Sequence, residues 1–458
     1  MGLALQLALV ASLCAQVCWA EGVRLSLSLE EAERMAVEHH PQVRAMEELL
    51  AKAREGRLEA VSKWLPELTA LSEGFKTQQP QEPIIDSTTS FMTQLTVTQA
   101  LFSMDDYYDV KIAALVERQL ELLLDAAMND ALFLARSLYY RLLLDDDHKA
   151  TAQEQVDLFS SLAVEMARRY QVGEAILYNV NQSKVAVSNA LNRYYAAVKQ
   201  YKVDVDRLLQ ALGVDPSGQE VVLTEQAIPL YAVAELAEKL QAEERMFQEI
   251  PQMGSHRLYT EEEIAVWEER AEQYRPDLKI SDNRMQIAAA GIKKRQGEYL
   301  PEVDLVGNYG GEPSPFAFNP SKRIDDQQFH WGVGVVLNWT LFDGGGREHR
   351  IKEAKAQWRA DRHQYQKSLQ EAHAAVRREI YGLEEAIAGT VNAGANVRLA
   401  EQTVEQVRQQ LDVGYVTIFD YQAAVDSLIQ AKYAYHQARY DVIVHYYGLR
   451  HASGVDIR

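Results

Sequence analysis

The residues of this sequence that could do chemistry are few and scattered. His39-His40 is the tightest pair among eleven histidines, but no acid cluster adjoins it to complete the ligand set a zinc ion takes. Gly344-Gly345-Gly346-Arg347 has the glycines of a phosphate loop without the Gly-Lys-Ser/Thr ending that grips phosphates. Gly332-Val333-Gly334 lacks the third glycine of a dinucleotide loop and lies inside an alternating apolar pattern. Asp145-Asp146-Asp147 and Glu261-Glu262-Glu263 are acidic runs of the kind that solvate a helix face. No Ser-His-Asp or paired-carboxylate arrangement stands out, so the expectation is no catalytic residue, no metal site and no cofactor. Asp420 stands apart, because it follows Thr417 at the spacing of a capping box, where the carboxylate satisfies backbone donors at a helix start.

Composition narrows the setting. Residues 1–20 carry no charged side chain and end in Cys18-Trp19-Ala20, which reads as a secretory signal peptide cleaved before Glu21. Both cysteines, Cys14 and Cys18, fall inside it, so the mature chain is expected to form neither a disulfide nor a thiolate metal site. The formal charge of −19 disfavours nucleic acid, whose phosphates it repels. Past residue 20 there is no run of about 18 or more apolar residues, and a membrane role would need β-strands.

The elements that must position any site are written twice. Pro41 and Pro66 recur as Pro276 and Pro301, an offset of 235 at both places. Leu101-Phe102 recurs as Leu341-Phe342, Val172-Gly173 as Val413-Gly414, and Gly213-Val214-Asp215 as Gly454-Val455-Asp456. A solenoid unit has a period of about 20 to 50 residues, so this longer repeat is a duplicated half. The division expected is a signal peptide over 1–20, a first repeat over 21–215, an acidic connector over 216–272 and a second repeat over 273–458.

Each half holds a very long helix. Ser103 to Val172 has neither Gly nor Pro, and a helix of that length spans roughly 100 Å. Its counterpart, about Arg347 to Asp412, contains Gly382, Gly389 and Gly394, where a kink or break is predicted. Val156, Phe159, Ala163, Met166 and Tyr170 step by three and four, as do Val397, Ala400, Val404, Val407 and Leu411. That is a coiled-coil seam. It resumes after each Val-Gly pair, through Leu177 to Leu212 and Ile418 to Leu449, which describes two antiparallel helical hairpins.

Strands complete each half. Trp331, Val333, Val335, Leu337, Trp339 and Leu341 alternate with small or polar residues, and Phe91, Leu95, Val97 and Leu101 do the same in the first copy. Partner strands are predicted over about Glu67–Phe75 and Glu302–Tyr309, with exposed loops over Gln78–Ser90 and Gly311–Gln328. The pattern fits strands facing lipid with Trp331 and Trp339 as interfacial aromatics. Two hairpins make four strands, fewer than the smallest closed barrel, so other copies must complete the sheet. The two functions compatible with this reading are an export conduit and a structural periplasmic or surface coiled-coil protein without a pore.

Asn338-Trp339-Thr340-Leu341-Phe342-Asp343-Gly344-Gly345 is similar to the strand-to-helix passage of the outer-membrane efflux (TolC-like) family, and Tyr170-Gln171-Val172-Gly173 and Leu411-Asp412-Val413-Gly414 resemble its hairpin-tip motif. The resemblance covers about Leu25 to Asp456. It implies an α+β membrane protein, a homotrimer whose twelve strands form one outer-membrane β-barrel and whose helical hairpins form an α-barrel reaching into the periplasm. It also implies a passive conduit of a tripartite efflux or type I secretion system, with Val172, Gly173, Val413 and Gly414 meeting a periplasmic adaptor (membrane fusion) protein and, through it, an inner-membrane pump. The family's entrance carries two aspartates three residues apart; Asp420 matches the first, while Ala423 departs from the second and Asp426 lies three residues further on. Asp420 as a constriction and Asp420 as a helix cap both stay open.

Overall fold

The structure is a computed structural model that describes residues 24–81, 84–217, 220–225, 228, 230, 239–241, 243, 258–311, 314–316 and 329–456. The expected signal peptide lies outside the described residues. The chain divides into two compact units, and they cut across the duplication. One, the hairpin unit, comprises Met1–Arg44, Ala127–Arg275 and Ala372–Arg458; the other, the strand unit, comprises Ala45–Ala126 and Pro276–Glu371.

In chain order the elements are β1 (Arg24–Leu27), α1 (Leu29–His39), α2 (Pro41–Ser62), β2 (Glu67–Gln81), β3 (Ile84–Phe102), α3 (Met104–Gln171), α4 (Leu177–Ala211), β4 (Glu220–Leu223), α5 (Glu261–Tyr274), α6 (Pro276–Gly297), β5 (Glu302–Gly311), β6 (Ser314–Phe316), β7 (Phe329–Asn338), α7 (Gly346–Asp412) and α8 (Ile418–Ser453). Both long helices appear where Gly and Pro are scarce, with 68 residues in α3 and 67 in α7. The break expected at Gly382, Gly389 and Gly394 is not there, since α7 runs unbroken through all three. The roughly 1 kcal/mol cost of each glycine is too small to end a helix whose other face is packed.

The strand unit is built on an antiparallel sheet in the order β2-β3-β5-β7, with β6 paired to β3. The loop expected over Gln78–Ser90 is corrected: β2 continues to Gln81, β3 starts at Ile84, and Gln78 pairs with Ser87. Ser and Thr dominate that stretch and hide the apolar alternation, but β-branched Thr is at home in a strand. Ser314–Phe316, also expected as loop, pairs with Thr89–Phe91. Residues 317–328 of the second expected loop lie outside the described residues.

Helices of the same unit are tied to one another by polar contacts. Lys63 reaches Asp109 at 2.8 Å, Lys294 reaches Asp105 at 3.1 Å and also bonds Asp109, and the Asn283 amide donates to the Leu115 carbonyl at 2.8 Å. A Cβ on Gly297 would stand 2.7 Å from that of Met104, so this end of α6 lies directly against the start of α3.

In the hairpin unit the seam residues Val156, Phe159, Met166, Val180, Leu411, Ile418, Tyr421 and Val425 are buried in one cluster. Leu162, beside the Ala163 of the sequence pattern, is fully buried, while the outermost seam positions Tyr170 and Leu177 are exposed. Within the expected connector β4 lies parallel to β1 in a two-stranded sheet, and beside it the Tyr139 hydroxyl donates to the Leu27 carbonyl at 3.2 Å. Helix α5 opens on a Thr260–Glu263 capping box as α1 opens on Ser28–Glu31.

Candidate functional site

The sheet's two faces differ in kind. In an antiparallel sheet, residues directly opposite share a face. Leu68 pairs with Val97, Val97 with Gly307 and Gly307 with Val333; Leu95 pairs with Tyr309 and Tyr309 with Trp331. Val335 joins them through Leu305, and Leu337 through Val303. The opposite face collects Thr69, Thr96, Thr98, Asn308, Asp304, Glu302, Gly332, Gly334 and Asn338. Leu68, Val97, Tyr309, Trp331, Val333, Val335 and Leu337 are all exposed, Trp331 at 78%. A row of this size, bare in one chain, is larger than the scattered apolar residues a water-exposed surface ordinarily carries.

Trp339 and Leu341 were expected in the same strand, and here the structure differs. Strand β7 ends at Asn338, so both lie in the passage to α7, with the Trp339 indole donating to the Tyr299 carbonyl at 3.1 Å. The passage ends in a cap: Asp343 Oδ2 accepts from the Arg347 amide at 2.7 Å, and Gly344 and Gly345 take the left-handed conformation that lets the chain turn there. Burial alone would raise the Asp343 carboxyl, but the Arg347 amide and the Arg347 and Arg350 guanidiniums hold it below the usual carboxylate range.

The two hairpin tips share one geometry. Gly173 and Gly414 have φ of +82° and +78°. At the first tip the Gly173 amide donates to Tyr170 O at 3.1 Å and the Glu174 amide to Arg169 O at 2.8 Å; at the second, Gly414 donates to Leu411 O at 3.2 Å and Tyr415 to Gln410 O at 2.9 Å. These are the two bonds of a Schellman turn, which needs a left-handed residue at its corner. Around the corners Val172, Ile176, Leu177, Tyr178, Val413 and Tyr415 are exposed, Tyr415 at 86%. Glycine therefore sets the reversal, and the neighbours present an apolar surface.

Behind the tips lies a charged brace that the sequence pattern did not single out. Arg169 bonds Glu165 and reaches Asp412 at 2.7 Å, while Arg408 reaches Glu165 at 2.8 Å and lies 5.5 Å over the Tyr421 ring. It joins the last turns of α3 and α7. Its only sequence signal is opposite charges beside the seam in both helices, and these residues do not recur between copies.

Asp420 is a cap in this chain. Its Oδ2 accepts from the Thr417 amide at 2.7 Å and the Thr417 hydroxyl at 2.6 Å, and Thr417 Oγ1 in turn accepts from the Asp420 amide at 3.4 Å. Those Thr417 bonds hold its carboxyl below the usual range. The side chain is otherwise exposed at the tip. Asp426 is differently placed, since its Oδ1 accepts from Gln155 at 2.7 Å and from Arg193 at 2.8 Å. Among the described residues Asp105, Asp106 and Asp109 form an acidic trio, but Lys63 and Lys294 already pair with it.

Comparison with known proteins follows the same lines. Residues 267–455 match the family model described as outer membrane efflux protein. The Outer membrane protein TolC of Vibrio cholerae serotype O1 is 27% identical over 195 residues, 41% of this chain and 42% of that protein; the match spans less than half of that relative's length. The solved outer membrane protein VceC of Vibrio cholerae superposes with a TM-score of 0.71 at 17% identity, over 93% of this chain and 96% of that one. The CmeC outer membrane channel of Campylobacter jejuni gives 0.73 at 14% identity, over 96% and 90%. The open-state MtrE outer membrane channel of Neisseria gonorrhoeae gives 0.71 at 15%, over 93% and 88%. At such identities the structures establish a shared fold.

Proposed function

From a chain whose residues 267–455 carry the outer membrane efflux protein domain and whose fold is that of outer-membrane channels, we propose that three copies form one export conduit. Each contributes four barrel strands, β2, β3, β5 and β7, and the twelve close a barrel in the outer membrane. The helical hairpins line a periplasmic α-barrel. The conduit itself is passive, and the work is done by an inner-membrane pump linked through a periplasmic adaptor.

One observation carries the reading. The sheet is apolar and bare on one face, mostly polar or small on the other, and among the described residues open at both edges, β2 and β7. In hydrocarbon every backbone donor and acceptor must be paired within the protein, so open edges can persist there only by joining other strands. A pore-free coiled-coil protein has no use for such a face. Two further roles rest on position: the apolar collars at Val172-Gly173 and Val413-Gly414 receive the adaptor, and Asp420 charges the periplasmic entrance in three copies.

The test is to measure mass and conductance together on the detergent-solubilised protein. A trimer that gives discrete channels in planar bilayers is expected. A stable monomer with an intact β-signal in circular dichroism refutes it.

A further inference from the structure

Both hairpins are written on one plan, with Gly173 and Gly213 recurring as Gly414 and Gly454, an offset of 241. At one level the copies differ in a linked way. Arg141 of α3 and Asp204 and Arg207 of α4 correspond to Gly382 of α7 and to His445 and Gly448 of α8. Three changes at three facing positions point to one substitution of a charged cluster by another.

In the first hairpin, Arg141 Nε lies 3.5 Å from Asp145 Oδ1 and 3.6 Å from Asp204 Oδ2. The two carboxylates are 2% and 1% exposed. Asp204 is well served, since Gln200 donates to its Oδ2 at 2.8 Å and Arg207 to its Oδ1 at 2.7 Å. Asp145 is not, because its Oδ2 is buried with no hydrogen-bond partner. A bare anionic oxygen is unfavourable there, whereas a proton on it makes it a donor towards its neighbour. Burial, then the bond that a protonated Asp145 makes with Asp204, push Asp145 up to about 7. Burial also pushes Asp204 upward, but Gln200, Asp145 and Arg207 outweigh it and hold it low. From α8, Tyr440 faces the cluster; Arg141 stands 5.7 Å from the Tyr440 ring, and burial raises that phenol above its ordinary value.

In the second hairpin the two arginine positions are empty of side chain. A Cβ on Gly382 would stand 2.5 Å from His445 Cε1, and one on Gly448 would stand 2.7 Å from Glu379 Oε2. The space holds a histidine–carboxylate pair, His445 Nδ1 to Glu379 Oε2 at 2.9 Å. The bond to Glu379 raises His445 above its usual value although burial opposes it, and Asp441 and Glu385 are the other carboxylates that act on it.

We propose that these clusters are proton-dependent stitches, one in each hairpin at the same level, which hold α3 to α4 and α7 to α8 and which both loosen as the pH rises from the acid side to and through neutrality. The signs agree. A carboxyl with a raised folded pKa contributes most below the ordinary carboxylate range, and its contribution falls as the pH rises to about 7. A histidine with a raised folded pKa contributes below its ordinary value and loses that contribution as the pH rises through the folded one. Above both, the first hairpin holds two anions that share Arg141 Nε, with Arg207 serving Asp204 and not Asp145, and the second a neutral imidazole beside an anion.

Hydrogen exchange of the detergent-solubilised full chain, corrected for intrinsic rates and compared at about pH 6 and about pH 8.5, tests this. Segments 138–147, 201–208, 379–386 and 441–448 are expected to lose about tenfold protection at the higher pH, while segment 156–166 of the same α3 does not. Asp145→Asn keeps a donor towards Asp204 without a titrating proton and removes the loss in the first pair only. His445→Gln removes it in the second pair only. Should Asp145→Asn fail to fold, the infrared band of a protonated carboxyl in the unsubstituted protein at pH 6, and its disappearance at pH 8.5, read the same proton. Equal protection at both pH values, or a loss that survives both substitutions, overturns the proposal.

Discussion

Asp420 holds a cap, and the entrance role proposed for it rests on the same carboxylate. The Thr417–Asp420 bonds close a capping box on α8, and Ile176 at the first tip gives its helix no side-chain cap. Removing the hydroxyl with Thr417→Val should cost about 0.5 to 2 kcal/mol of helix-end stability and leave channel selectivity alone. Asp420→Asn should do the opposite, reducing cation selectivity or divalent block in planar bilayers with trimer yield unchanged. If Asp420→Asn channels match the unsubstituted ones in conductance, selectivity and block, the residue is a cap and no more. The cap was readable from Thr-x-x-Asp spacing, a local pattern within four residues. The brace of Arg169, Glu165, Arg408 and Asp412 was not, because its partners lie 243 positions apart and only the fold brings them together.

Elements were legible where a period runs through them, and misread where a residue type stood in for one. The seams and the β7 alternation were found because 3.5 and 2 residue periods report a buried stripe and a two-faced strand. Propensity alone predicts a break at Gly382, whereas its missing Cβ seats His445 from the facing helix, a contact no local pattern records. Gly382→Ala should therefore destabilise the hairpin by about 1 to 3 kcal/mol, as overpacking does, instead of gaining the helix propensity that alanine normally brings. A thermal melt that rises on substitution would return the glycine to a propensity role. The sheet faces allow a second test at this scale. Val335 lies on the apolar face and Asn308 on the polar one, so Val335→Arg should cost about 2 to 4 kcal/mol near mid-bilayer and impair assembly, while Asn308→Arg is tolerated. Equal damage at both positions would mean that the faces are assigned the wrong way round.

For the whole molecule, the duplication was legible as repeated Pro, Leu-Phe and Val-Gly pairs, but the two compact units were not, because each takes segments from both copies. A repeat in sequence records how the chain arose; a compact unit records which segments pack. Assembly follows from what one chain leaves unfinished. Among the described residues the strand order β2-β3-β5-β7 leaves β2 and β7 with one unpaired edge each, and a head-to-tail ring closes only if β7 of each copy pairs with β2 of the next. The cysteines of this sequence are Cys14 and Cys18 alone, both in the expected signal peptide, so introduced cysteines report cleanly on that seam. Thr69 of β2 shares the polar face with Gly332, Gly334 and Val336 of β7. Thr69→Cys combined in turn with Gly332→Cys, Gly334→Cys and Val336→Cys scans the register, since a disulfide needs Cα atoms about 4.4 to 6.8 Å apart. One combination should give a covalent trimer on non-reducing gels, with its neighbours in register weaker. Monomer bands alone across the whole series, from protein extracted out of outer membranes, would show that β2 and β7 do not meet and that the barrel closes some other way.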